Sequence, residues 1–72
     1  MKDDIRKATC CIIRRNGEYL VAVIAGTRGL AWSNSRYDAW QTRDAEQARR
    51  IARRTGGMVM LFNPIINSER IL

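Results

Sequence analysis

Residues 8–26 read ATCCIIRRNGEYLVAVIAG. Asn16-Gly17 lies between two β-branched, apolar runs. That is the signature of a two-residue type I′ hairpin, whose central positions both need positive φ. A turn of that length sets the pairing: Arg15 faces Glu18, Arg14 faces Tyr19, Ile13 faces Leu20, Ile12 faces Val21, Cys11 faces Ala22 and Cys10 faces Val23. Alternation then sorts Ile13, Leu20, Cys11, Ala22 and Ile24 onto one face, and Ile12, Val21, Cys10, Val23 and Tyr19 onto the other. Both faces are apolar, whereas a half-exposed hairpin alternates apolar with polar. Whatever the hairpin belongs to must therefore be covered on both sides.

The rest of the chain supplies one obvious cover. Thr42 is a good N-cap, Asp44 and Glu46 follow where the helix dipole favours acids, and Gly56 or Gly57 suits the left-handed C′ position. The spacing predicts a helix over 43–55. Ala45, Ala48, Ile51, Ala52 and Thr55 form one stripe, small enough to lie close on a sheet. Residues 58–63 (MVMLFN) read as a strand, with Met58, Met60 and Phe62 on one face and Val59 and Leu61 on the other. Pro64 should end regular pairing or sit at an edge. In the polar segment 27–42, a short strand at Leu30–Ser33, a single helical turn after Ser35 and an extended piece at 39–42 are expected. The fold class is α+β: hairpin, short extended loop or strand, one amphipathic helix and a final strand, ββ(β)αβ. Its small sheet is antiparallel or mixed, with one helix packed on it. Residues 1–7 are expected to be a flexible N-terminus and 64–72 an apolar tail.

The stretch WSNSRYDAWQTRDAEQARRIARRTGGMVML resembles a unit found in short open reading frames of phages and other mobile elements. These pair a Trp-containing loop with an alanine-spaced helix, a Gly-Gly pair and a strand. Trp32, Ala39, Trp40, Thr42, Ala45, Ala48, Ala52, Gly56 and Gly57 carry the resemblance, which covers about residues 30–62. It supports the fold outline, implies a mobile-element setting in a bacterial host cytoplasm and brings no catalytic residues.

Seventy-two residues allow one domain, residues 1–72, with a thin stability margin. Small scaffolds often need a disulfide, a metal or a second subunit. Cys10 and Cys11 are adjacent, so a bridge between them would be strained and close no useful loop. A strand points them to opposite faces. Without histidine, two thiols do not make a four-ligand zinc site, and no cofactor is expected. Residues 1–10 hold charge but no apolar stretch of signal-peptide type, and YLVAVIAG is too short to span a bilayer. A soluble, intracellular protein without membrane attachment is expected.

Enzyme chemistry fails on inventory. There is no histidine for a Ser-His-Asp or Cys-His pair, no phosphate-binding glycine loop and no spaced carboxylate cluster. What remains are surfaces. The net charge is +6, and arginine supplies eleven of the thirteen basic residues. Arginine's planar fork suits phosphate and carboxylate. Arg43, Arg49, Arg50, Arg53 and Arg54 fall opposite the alanine stripe. Arg28, Arg36 and Tyr37 intersperse with Trp32 and Trp40 ahead of the helix, a composition suited to protein hot spots or to single-stranded nucleic acid.

The second surface is the sheet face that one helix leaves open. It predicts a homodimer or partner face at Ile12, Val21, Val23, Ile65 and Ile66. A tail folded back over that face is the rival. The partners expected are a host protein or ribonucleoprotein, with DNA or RNA as the alternative. The function expected is a non-catalytic interaction protein that occludes or bridges a host macromolecule, such as an anti-CRISPR or other anti-defence inhibitor. The alternative is a nucleic-acid-binding accessory protein using the arginine helix.

Overall fold

The computed structural model describes residues 7–23 and 30–72. The expected flexibility of the first six residues, the loop 24–29 with Ile24 and Arg28, and the side chain of Val23 lie outside the described residues.

The hairpin forms with β1 at Cys10–Arg15 and β2 at Glu18–Val23. Asn16 and Gly17 take φ of 52° and 80°, as the two-residue turn requires. β3 (Leu30–Ser33) pairs with the outer edge of β2, and β4 (Met58–Asn63) with the outer edge of β1. The sequence pattern accounts for these four strands. The structure adds β5 (Ser68–Ile71), so the apolar tail is the fifth strand of an antiparallel sheet ordered β3-β2-β1-β4-β5. Strand β4 ends just before Pro64. The Asn63 side-chain carbonyl accepts from the N–H groups of Ile65 (3.0 Å) and Ile66 (3.5 Å), and Asn67 turns back with φ of 51°.

The hairpin register holds only next to the turn. Arg15 pairs with Glu18 and Arg14 with Tyr19. Beyond them the strands part, and residues 40–42 fill the gap. The Trp40 N–H donates to the Leu20 carbonyl (2.8 Å), while Cys11 and Thr42 exchange both main-chain hydrogen bonds (2.7 and 3.1 Å). A second departure lies on β2. Leu20 pairs with Trp32 but Ala22 with Ala31, so Val21 is the extra residue of a bulge and the predicted alternation fails from Ala22 onward.

Through this gap the chain crosses from one face of the sheet to the other. A 3-10 turn at Arg36–Asp38 lies on one side, Ala39 is buried there, and Trp40 already packs in the cluster on the other. The helix α1 then runs over Ala45–Thr55. It starts two residues later than the spacing predicts, with Asp44 as N-cap accepting from Glu46 and Gln47. Thr42 cannot cap, because its own N–H and C=O are held extended by Cys11. Its hydroxyl instead accepts from the Asp44 N–H (3.1 Å). Gly56 closes the helix in the left-handed conformation, φ 75°. A Cβ on Gly57 would meet Ile13 Cγ2 at 2.6 Å and the Arg14 carbonyl oxygen at 3.1 Å, so glycine is what lets the chain pass this close to β1.

Two apolar layers result. Between α1 and the sheet, Ala48 and Ala52 of the helix pack on Cys11, Ile13, Leu20 and Val59, flanked by Leu30, Trp32, Trp40 and Leu61. On the other side lie Cys10, Ile12, Tyr19, Met60, Phe62 and Ala39. This second layer corrects the expected open face. Ile12, placed at a dimer interface by the sequence, is completely buried within one chain. The cover is the chain's own 35–39 segment, held down by Asn67 and Glu69 of the tail. Val21 is half-buried, while Ile65 and Ile66 are exposed at the β4–β5 turn. No described helix is long and apolar enough to cross a membrane.

Candidate nucleic-acid interface

The alanine stripe dictates which side of α1 meets water. With Ala48, Ala52 and Thr55 buried on the sheet, Arg49, Arg50, Arg53 and Arg54 all stand exposed on the opposite arc. Arg49 donates to Glu46 Oε1 at 3.1 Å, the expected one-turn pair, and both side chains are at least half exposed. Such a pair contributes little to stability and leaves Arg49 available. Among the described residues, Arg50, Arg53 and Arg54 have no carboxylate partner. Arg50 and Arg54, with Gln47 and Ile51, line a shallow hollow of about 250 Å³ on the flank of the helix.

The other predicted contacts separate from this face. Arg43 is exposed but borders Cys10, Gln41 and Thr42 rather than the helix arc. Arg36 is committed elsewhere. Its guanidinium donates to the Asn67 main-chain carbonyl at 3.2 Å and to the Asn67 side-chain oxygen, approaches Glu69 Oε1 at 3.7 Å and sits 5.4 Å from the Phe62 ring centre. Tyr37 is exposed, yet its hydroxyl donates to Asn67 Oδ1 (2.9 Å) and its ring stands edge-on to Phe62 at 5.5 Å. Trp32 lies under Arg15, whose guanidinium is 4.0 Å from the ring centre and donates to the Thr55 carbonyl (2.7 Å) at the end of α1. The interleaved arginines and aromatics therefore build the fold instead of an open stacking platform.

Glu69 is what sequence reasoning missed. Its carboxylate is nearly buried, with a side chain 9% exposed, and gathers Arg14 Nη1 (3.1 Å), the Tyr19 hydroxyl (2.5 Å) and Arg36. The signal in the sequence is slight: a single acid, flanked by Ser68 and Arg70, in the tail INSERIL. This cluster ties the 3-10 turn to β5 across the second apolar layer and neutralises part of the positive charge there. Arg50, Arg53 and Arg54, without a carboxylate partner among the described residues, stand on the helix side instead.

Burial, then hydrogen bonding to the charged Glu69, raises the Tyr19 pKa above its ordinary 10.0. Burial likewise raises the Cys10 and Cys11 thiols above 9.0. Cys10 donates weakly to the Phe62 carbonyl at 3.4 Å. These groups favour their neutral forms when folded, so the folded chain holds protons that the unfolded chain releases. Their stabilising contribution is complete below pH 9 and falls as pH rises through 9 and 10. The urea midpoint is expected to be flat between about pH 7 and 8.5 and to drop toward about pH 10.5, less steeply in Tyr19→Phe. A midpoint that stays constant to about pH 10.5 would contradict the burial of all three.

No family model, curated protein or solved structure matches this chain.

Proposed function

We propose that the chain is a non-catalytic binding module of a phage or other mobile element. It docks on an anionic host macromolecule through the arginine face of α1, with nucleic-acid phosphate as the group it grips. The observation that carries this reading is the row of exposed arginines, three of them without a carboxylate among the described residues, on one arc of a capped helix. Arginine forks bind phosphate bidentately, and each neutralised phosphate releases counterions. Closure of the second apolar layer within one chain removes the main argument for an apolar protein interface there.

The test is fluorescence anisotropy with DNA and RNA oligonucleotides between about 50 and 200 mM salt. Binding is expected to weaken steeply with salt. Replacing Arg49, Arg50, Arg53 and Arg54 together with Gln should weaken it further and flatten the log–log slope by about one unit for each phosphate no longer neutralised. The helix signal by circular dichroism should be retained. A wild-type protein that binds no nucleic acid at about 50 mM salt refutes this reading.

The β4–β5 edge favours a second reading. Met58, Ile65, Ile66, Ile71 and Leu72 are all exposed along it. Large aliphatic side chains beside arginines suit a protein partner, as in an anti-CRISPR or other anti-defence inhibitor that occludes a host protein or ribonucleoprotein. Binding that resists salt and nuclease, and is abolished by Ile65→Asp with Ile66→Asp, belongs to this reading.

A further inference from the structure

We propose that the arginine helix is shaped for the major groove of B-form duplex DNA, in preference to single strands or duplex RNA. This rests on the reading of the face as a phosphate grip and names the form of nucleic acid it takes.

Successive residues advance about 100° around a helix of 3.6 residues per turn. The exposed arginines therefore fan out in the order Arg49, Arg53, Arg50, Arg54 over an arc of about 140°. The two outer ones, Arg49 and Arg54, point to opposite flanks. Of the four, the inner two, Arg53 and Arg50, point most directly away from the sheet, with Glu46, the partner of Arg49, between them in the first turn. A single phosphate strand laid on this helix would meet one flank and leave the other in water. Two strands on either side of a groove meet both.

Size agrees. A helix with side chains is about 10–12 Å across and the B-form major groove about 12 Å wide. The A-form major groove of RNA is too deep and narrow for side chains to read. The outer arginines then contact phosphates of both strands, and the inner pair face the base edges, where an arginine fork fits guanine O6 and N7.

The aromatics argue the same way. Binding to single strands draws on exposed rings that stack on bases. Trp32 is covered by Arg15, Trp40 packs against the core under α1, and Tyr37 is tied to Asn67 and Phe62 on the opposite side of the sheet. No described aromatic lies on the arginine face.

Three probes of one sequence decide the matter at about 100 mM salt: a DNA duplex of about 20 base pairs, the matching RNA duplex and one DNA strand alone. The DNA duplex is expected to bind at least about tenfold more tightly than either other probe. Arg49→Gln with Arg54→Gln should lower the magnitude of its salt slope by about two units. Arg50→Gln with Arg53→Gln should level its preference between guanine-rich and adenine/thymine-only duplexes. Equal or tighter binding of the single strand or of duplex RNA overturns this inference while leaving the phosphate grip standing. Binding of none of the three overturns the grip itself.

Discussion

Glu69→Ala is expected to remove a large share of the protein's stability at about 25 °C. The carboxylate is the single acceptor shared by Arg14, Arg36 and Tyr19, and its own side chain is almost wholly out of water. Removing one partner of a buried ionic cluster strands the others and costs about 3–5 kcal/mol. Arg14 is 42% exposed and recovers solvent, which places the expected loss near the lower end, about 3 kcal/mol. A chain of this length has roughly 4–10 kcal/mol in total. The same loss frees the 35–39 segment, so Ile12, Met60 and Phe62 gain access to water and the variant should bind a hydrophobic dye and associate. Glu69→Gln, which keeps an acceptor for Tyr19 but loses the charge, should fall between the two. Urea unfolding of the three proteins at about pH 7 checks the order. A Glu69→Ala variant within about 1 kcal/mol of wild type would show that the covering segment is held by packing alone.

Asn16-Gly17 makes the hairpin legible because a positive-φ pair has few other uses, and Met58–Asn63 and Leu30–Ser33 appear at the bounds read from pattern. The arginine arc of α1 is legible because helical periodicity and the alanine stripe dictate it. Three features are not. The separation of β1 from β2 is a tertiary choice: Trp40 takes the Leu20 carbonyl that the hairpin would offer to Ile13, and Thr42 takes the Cys11 main-chain groups that it would offer to Ala22. The fifth strand is hidden by Pro64 and by a turn built on Asn63 and Asn67 rather than glycine. The closing of the second layer depends on Arg36, Tyr37 and Glu69 meeting from segments about thirty residues apart, a meeting that no local pattern encodes. The two-sided apolar hairpin correctly demanded a cover. It carried no information on whether that cover came from the same chain.

Phe62→Ala should be the most damaging single truncation, and its side effects distinguish the latch from the interface. The ring is fully buried at the junction of everything that closes the second layer. Tyr37 meets it edge-on, Arg36 lies against it, and its strand neighbours across β1 and β5 are Cys10 and Glu69. Deleting a buried phenylalanine costs about 3–5 kcal/mol, and here it also removes an aromatic pair and a cation–π contact that hold the cover down. The variant is expected to be largely unfolded without denaturant. Phe62→Leu keeps most of the volume and should cost less than about 1.5 kcal/mol of packing, plus up to about 1 kcal/mol for the missing ring interactions. It should remain folded. Because Phe62, Arg36 and Glu69 form one connected unit, Phe62→Leu and Arg36→Ala should combine to less than the sum of their separate costs. Additive costs in urea would mean that ring and guanidinium act independently. The arginine arc lies across the sheet from this cluster, so the folded Phe62→Leu protein should bind DNA as wild type does. Loss of binding at full helicity would place the nucleic-acid contact on the 35–39 side instead of on α1.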